Sequence, residues 1–328
     1  MKNVAIVGAT GLVGTTFLKV MEERNIKFNK LYLYASSRSA GKKINFMGKE
    51  YEIIELKEEN IKEDIDFALF SAGGSTSTEF APKFAEKGAI VIDNSSAWRM
   101  DEEVPLIVPE ANIEDAKETK KGIIANPNCS TIQVIPVLKV LSDYFGLKRV
   151  IYSTYQSVSG AGVKGLEDLE KNLRGEESTN FPSQIAFNLI PHIDSFLDNG
   201  YTKEEMKMVN ETRKILHLPD LKVSATCVRV PVRYSHSVSM NVELKSEFDL
   251  EKVKELLANA NGVVLVDDVK NGIYPMPLMT EGKDEVFVGR IRRDDTVDNG
   301  LNLWVVADNI RKGAATNAVQ ILELLLDK

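Results

Sequence analysis

Short apolar runs alternate with amphipathic stretches along the first 126 residues. Lys2 to Val7 is mostly apolar, and beyond a glycine-rich turn Val13, Phe17, Val20 and Met21 recur at the spacing of one helical face. Leu31 to Ala35, Asp66 to Phe70, Ala89 to Asp93 and Ile123 to Ala125 read as further strands, and Thr78 to Lys87 reads as a helix. Strands and helices in alternation imply a parallel sheet covered by helices, an α/β arrangement. The loops after these strands, Ser71 to Ser75 and Asn94 to Ser96, then lie at the carboxyl edge, where open sheets of this kind bind ligands. Later in the chain, Arg149 to Val158 and Val228 to Leu244 read as strands around a polar excursion at Lys171 to Pro182. Ala314 to Leu326 carries Ala318, Ile321, Leu322 and Leu325 at helical spacing and is expected to return to the first domain. Lys57 to Asp64 is dense in charge and reads as a solvated face.

With 328 residues, and about 100–200 residues per domain, the chain is long enough for two domains. The net charge of −7 gives no basis for a nucleic-acid-binding surface. The opening MKNVAIVGAT lacks the features of a secretory signal and no apolar run reaches membrane length, so a cytoplasmic protein with no membrane partner is expected. The two cysteines, Cys129 and Cys227, are too few for a disulfide framework and lack the companions of a zinc site, so no metal is expected.

Candidate chemistry begins at Gly8-Ala9-Thr10-Gly11-Leu12-Val13-Gly14, between the first strand and the first helix. Glycines there let the backbone approach a pyrophosphate, whose charge meets free amides and the positive end of the helix dipole. The stretch Gly8, Thr10, Gly11, Leu12, Val13 and Gly14 is therefore a candidate dinucleotide-binding turn, although its Gly-x-x-Gly-x-x-Gly spacing departs from the commonest fingerprint. The second strand ends in Ser36, Ser37 and Arg38, where an NAD-selective site would place an acid. Hydroxyls and a guanidinium suit the 2′-phosphate of NADP instead; the plainer alternative for Arg38 is a solvated loop.

Asn126-Pro127-Asn128-Cys129-Ser130-Thr131 leads into an apolar helix expected to begin near Ile132, and Pro136 is expected to kink or reset it. A cysteine close to a helix start is favoured as thiolate, the nucleophilic form. Cys227, within Ser224 to Val228, reads as a small buried hydrophobe. Of His192, His217 and His236, the last is the best proton-handling partner because Arg229 and Arg233 flank it. On one unbroken strand Arg229 and His236 would face opposite ways, so they share a site only if Pro231 or Arg233 to Ser235 breaks the pleat.

Taken in order, Gly-Ala-Thr-Gly-Leu-Val-Gly, Asn-Pro-Asn-Cys-Ser-Thr, Arg-Val-Pro-Val and the closing Asp-Asn-Ile-Arg-Lys-Gly-Ala-Ala resemble the bacterial aspartate-semialdehyde dehydrogenases over nearly the whole chain. The resemblance implies NADPH-dependent reduction of aspartyl phosphate to aspartate semialdehyde, on the route to diaminopimelate, lysine, methionine and threonine. It implies that Cys129 is the nucleophile, His236 the acid/base group, and Gln156 the residue that positions substrate and intermediate. Arg229 matches the residue that holds the substrate carboxylate and Glu204 the one that contacts its amino group; Arg99 and Lys207 match the phosphate-binding pair. Ser159, Gly160 and Asn309 match positions that complete the NADP site. Read without the resemblance, Glu204 and Lys207 form a helical salt pair three residues apart behind a Thr202 cap, and Arg99 is a loop charge.

The implied organisation is a Rossmann-like NADP-binding domain, residues 1–128 with 307–328, and an α+β catalytic and dimerisation domain, residues 129–306. A homodimer or a dimer of dimers is the implied assembly, with aspartate semialdehyde and phosphate as small-molecule substrates. Two alternatives stay open: a related acyl-phosphate reductase of the N-acetyl-glutamyl-phosphate type, and a noncatalytic NADP-binding sensor.

Overall fold

A computed structural model describes residues 1–326; Asp327 and Lys328, the end of the expected segment 307–328, lie outside the described residues. The chain packs as two compact units, Met1–Asn128 with the chain from Ala314 onward, and Cys129–Gly313.

The first unit holds seven strands: β1 (Val4–Val7), β2 (Leu31–Ala35), β3 (Lys43–Phe46), β4 (Lys49–Glu55), β5 (Phe67–Phe70), β6 (Ile90–Asp93) and β7 (Ile123–Ala125), in the order β3-β4-β2-β1-β5-β6-β7. All neighbours run parallel except β3 and β4. Val7 lies opposite Tyr34 on one side and Phe70 on the other, so the turns that follow β1, β2 and β5 emerge at a common edge. The β3–β4 hairpin has no counterpart in the sequence reading. Its strands are short and charged, and its two-residue turn pairs Gly48 with Met47 at φ 48°, where an Asn or Asp would have signalled a hairpin.

Helices Leu12–Glu23 and Gly74–Glu86 follow β1 and β5. Val4, Ile6, Phe17, Val20, Met21, Leu33, Leu69, Ile92 and Ile124 form one buried cluster with Ala318, Ile321 and Leu322 of the last helix. The expected return of the final segment to this unit is thereby realised, but the regular helix spans Asn317–Leu326 and is preceded by a wide π-helical turn at Arg311–Thr316.

The second unit is built on a mixed sheet of β8 (Leu147–Gln156), β9 (Lys222–Arg229), β10 (His236–Leu244), β11 (Val263–Leu265), β12 (Val286–Asp294) and β13 (Gly300–Ala307), ordered β11-β12-β13-β10-β8-β9. Period-two alternation sorts its faces. Val150, Tyr152, Val238, Met240, Val242, Leu303 and Val305 pack with Val134, Val137, Leu138 and Leu141 of the helix Cys129–Phe145. The other face presents Arg149, Ile151, Tyr155, Asn241 and Trp304, and it is open enough that Ile151 and Tyr155 each remain 37% exposed.

Two expectations change here. The helix expected near Ile132 begins at Cys129 itself, and it runs through Pro136 without interruption. Proline removes one backbone bond, but Ile132 to Leu138 are all buried, and this packing on every side holds the helix through the defect. The break that Arg229 and His236 need in order to meet is present: β9 ends at Arg229, and β10 begins at His236.

Candidate active site

The first unit carries the glycine turn. Gly8 has φ +85° and a Cβ there would lie 2.2 Å from the Ser71 carbonyl oxygen; a Cβ on Gly14 would lie 2.1 Å from the Gly8 carbonyl oxygen. Both are glycine because backbone meets backbone. Gly11 meets nothing so close. It precedes the helix Leu12–Glu23, whose first turn has no side-chain cap and no acid, and Thr10 and Gly11 are exposed, while Leu12 and Val13 are half-buried. Ser36, Ser37 and Arg38 follow β2 directly and are exposed; Arg38 makes no hydrogen bond or ion pair with the described residues.

Arg99, in the same unit, is buried. Its Nε donates to the Asn126 carbonyl at 2.9 Å and its Nη2 to the Asn94 carbonyl at 3.0 Å. Asn126 donates in turn to Asn94 Oδ1 at 2.7 Å and accepts from Asn317 Nδ2 at 2.7 Å. Asp93, at the end of β6, is fully buried; burial pushes its carboxyl up against the opposing bond from the Ser95 hydroxyl.

The second unit gathers most of the remaining candidates. Because Val230 to Ser235 breaks the pleat, with Ser235 at φ +70°, the two odd-spaced residues can meet: a Cβ on Gly160 would lie 2.7 Å from Arg229 Nη1 and 3.2 Å from His236 Nε2. The Arg229 guanidinium donates from Nη1 to the Ser157 carbonyl at 2.7 Å and makes no other hydrogen bond or ion pair with the described residues, although Arg229 is only 6% exposed. Burial, together with the Arg229 charge and against Glu204, pushes the His236 imidazole down to about 3.

The His236 tautomer follows from its neighbours. The backbone N–H of Ser157 donates to Nδ1 at 3.0 Å, so Nδ1 is an acceptor and the neutral ring carries its proton on Nε2. That Nε2 is buried and has no partner among the described residues. Ser157 Oγ lies 3.0 Å from the same Nδ1 and donates to Asn309 Oδ1 at 3.0 Å. Asn309 also accepts from Ser235 N and donates to Ser159 Oγ, so the side chains of Ser159 and Asn309 are engaged with each other.

Cys129 is partly exposed, and Gly313 lies behind it, where a Cβ would fall 3.0 Å from the cysteine Cβ. Cys227 is fully buried on β9; burial, then Glu204, pushes its thiol up and leaves it unreactive. Thr154 donates to Gln156 Oε1 at 2.9 Å, which turns Gln156 Nε2 toward Glu204 Oε1 at 3.0 Å. Glu204 Oε2 takes Lys207 Nζ at 3.1 Å, and Asp194 takes the same ammonium at 2.9 Å. Burial alone would disfavour the Lys207 charge, but these two carboxylates outweigh it and hold its pKa up. The Thr202 cap is a reciprocal capping box with Glu205. His192 instead stacks on Phe196 at 4.3 Å, and His217 follows the end of the helix Lys203–Ile215 at φ 54°.

Family models for the semialdehyde dehydrogenase NAD-binding domain and dimerisation domain match residues 3–119 and 138–312. An aspartate-semialdehyde dehydrogenase of Aquifex aeolicus is 61% identical, with 99% of this chain and 98% of that protein covered. The chain belongs to the aspartate-semialdehyde dehydrogenase family. Among solved structures, aspartate semialdehyde dehydrogenase II of Vibrio cholerae complexed with ASA matches at TM-score 0.96 and 49% identity over 100% of this chain and 99% of that one. The aspartate semialdehyde dehydrogenase of Candida albicans, solved with NADP, matches at TM-score 0.78 and 26% identity over 99% of this chain and 98% of that one.

The motif resemblance is thus borne out, and an aspartate-semialdehyde dehydrogenase is favoured over the related acyl-phosphate reductase. Several residues around the candidates carried no signal in the sequence. Asn94 and Asn126 orient Arg99, Thr154 orients Gln156, and Asp194 holds Lys207. Gln133, one turn beyond Cys129, donates to the His236 carbonyl at 3.3 Å. Asn126 and Gln133 work through long-range contacts, and Asn94, Thr154 and Asp194 act on near neighbours through side-chain or carbonyl geometry that residue type alone does not mark.

Proposed function

We propose that the chain catalyses the reversible NADPH-dependent reductive dephosphorylation of L-4-aspartyl phosphate to L-aspartate 4-semialdehyde through a thioester on Cys129. The observation that carries this reading is the pairing, beside Gly160, of a partnerless buried Nε2–H on His236 with the open N–H groups of Arg229. One suits an oxyanion and the other a carboxylate. Family membership supports the substrate, and lysine, diaminopimelate, methionine and threonine biosynthesis as the context.

In the oxidative direction the Cys129 thiolate adds to the aldehyde carbon, and the carbonyl electrons move onto oxygen. The His236 Nε2–H donates to this oxyanion; its proton need not leave the ring. Bound NADP would supply the hydride acceptor for this tetrahedral carbon. The C=O then re-forms as a thioester, and a phosphate oxygen attacks it to give the acyl phosphate and return the electron pair to Cys129 sulfur. Arg229 holds the substrate carboxylate, Glu204 its ammonium, and Gln156 the reacting carbonyl. Arg99 and Lys207 are assigned to the phosphate.

The residues of the first unit fit a dinucleotide. The glycines clear the approach to a pyrophosphate, the uncapped helix start offers amides, and Ser36, Ser37 and the unengaged Arg38 suit a 2′-phosphate. The NADP complex of the Candida albicans relative supports a nicotinamide dinucleotide at this turn, and the choice of NADP over NAD rests on Ser36 to Arg38. Ser159, Gly160 and Asn309 belong to the cofactor site through Ser159 and the Gly160 backbone, with Asn309 fixing Ser159. We assign cofactor binding to residues 1–128 with the C-terminal segment, and catalysis and dimerisation to the rest. A homodimer forms through the open sheet face around Ile151, Tyr155 and Trp304.

The test is phosphate-dependent reduction of NADP by the purified protein with aspartate semialdehyde. Activity with N-acetyl-glutamate semialdehyde instead, or cofactor binding without turnover, would reject the reading. In the same assay Arg38→Ser is expected to raise the KM for NADP about tenfold, as for loss of one charge-assisted bond, and to leave NAD unaffected. Equal effects on both cofactors would return Arg38 to the status of a solvated loop residue.

A further inference from the structure

The segment between Arg174 and Asn188 has no helix or strand of its own, yet two side chains of the helix Val163–Leu173 hold it closely. Asp168 is fully buried. Its Oδ1 accepts from Thr179 N at 2.9 Å and Thr179 Oγ1 at 2.8 Å, and its Oδ2 accepts from Asn180 N at 2.7 Å and Phe181 N at 2.8 Å. One helical turn on, Asn172 donates to the Glu176 carbonyl at 3.0 Å and accepts from Ile185 N at 2.7 Å. Backbone groups that a regular element would pair internally are paired here by one carboxylate and one carboxamide. Burial would raise the Asp168 carboxyl, but the N–H groups of Phe181, Thr179 and Asn180 outweigh it and hold the group down at about 2, so it stays ionised at neutral pH.

What this anchoring delivers is Phe181. Its ring centroid lies 5.8 Å from the Arg229 guanidinium carbon, within cation–π range. Arg229 is thereby bounded on three sides: by the Ser157 carbonyl at 2.7 Å, by Gly160, where no Cβ would fit, and by the Phe181 ring.

We propose that Asp168 is a positioning residue for substrate binding: by holding the backbone of Thr179 to Phe181 it sets the Phe181 ring against Arg229 and so fixes the guanidinium for the substrate's carboxylate. This rests on the assignment of Arg229 as the carboxylate clamp. Asp168 touches no reacting atom, so its loss affects recognition of the carboxylate and leaves the thioester chemistry intact. Asn in its place cannot reproduce the arrangement, because its NH2 faces at least one backbone N–H, donor against donor. Phe181→Leu removes the ring and leaves the strap's backbone bonds in place; Phe181→Tyr keeps the ring.

The experiment is a steady-state comparison of wild type, Asp168→Asn, Phe181→Leu, Phe181→Tyr and the Asp168→Asn/Phe181→Leu double variant, varying aspartate semialdehyde and phosphate separately. Phe181→Leu is expected to raise the KM for aspartate semialdehyde roughly three- to thirtyfold, as for loss of one cation–π contact, with kcat and the KM for phosphate within about twofold of wild type. Asp168→Asn should do at least as much, Phe181→Tyr should restore wild-type values, and the double variant should be no worse than Asp168→Asn. A loss of kcat at unchanged KM, a parallel rise in both KM values, or additive single effects would overturn the proposal while leaving the assigned reaction standing. A wild type that does not turn over aspartate semialdehyde would overturn the assigned reaction itself, and this inference with it.

Discussion

Cys129→Ala is expected to lower phosphate-dependent NADP reduction by at least about 10⁴-fold while leaving cofactor binding within about twofold of wild type. The size follows from the role: without sulfur there is no covalent acceptor, and neither His236 nor Arg229 can replace a bond-forming atom. Cofactor binding survives because the glycine turn and Ser36 to Arg38 belong to the first unit, whose backbone the substitution does not touch. The fold tolerates the change because Cys129 is only partly exposed at the first position of a helix, where alanine is a good residue. Cys227 offers no second route, since burial and Glu204 keep its thiol protonated. Turnover and cofactor titration on the same preparation check both halves. Residual activity above about one percent would mean that sulfur is not the nucleophile.

His236→Ala is expected to lower kcat about 10²- to 10³-fold, the usual cost of removing an oxyanion donor, and His236→Gln to recover at least tenfold of that. Glutamine can place an N–H near the position of Nε2 but cannot act as a base, so the recovery separates a donor from a general base. The pH profile separates them again. With the imidazole pushed down to about 3, no ionisation of His236 should shape kcat between pH 5 and 8; an acidic limb near 6.5 that vanishes in His236→Gln would contradict the donor role. The same shift predicts a stability effect of definite sign. As pH falls from about 6.5 toward about 3 the unfolded chain takes up a proton that the folded imidazole refuses, so wild type loses stability over that window. His236→Gln should lack that part of the loss in urea unfolding at pH 7 and pH 4.5.

Much of the first unit was legible in the sequence because its parallel strands are buried on both faces and read as continuous apolar runs. The β3–β4 hairpin was not, since short strands carrying Lys43, Lys49, Glu50 and Glu52 look like loop. In the second unit β12 and β13 went unread: β12 passes from Val286-Phe287-Val288 through Gly289 into Arg290 to Asp294, which reads as loop, whereas Leu301 to Ala307 carries an apolar run that could have marked β13. The site divided in the same way. Gly8, Gly14, Cys129 and Ser36 to Arg38 are marked by local backbone demands or by rarity of type. Arg229 and His236 could be paired only conditionally, since whether they meet depends on the Val230 to Ser235 turn and on Ser235 at φ +70°. Asp168, Thr154 and Asp194 were invisible because each is an ordinary polar residue whose role lies in which neighbouring group its side chain meets, and residue type does not mark that.

The most direct test of the thioester is a rapid-quench experiment with wild type, aspartate semialdehyde and NADP in the absence of phosphate, read by intact mass and peptide mapping. The account predicts a burst of one NADPH per active site, an aspartyl adduct mapping to the Cys129 peptide, and discharge of that adduct when phosphate is added. Sustained NADPH formation without phosphate and without an adduct, or an adduct on Cys227, would contradict it.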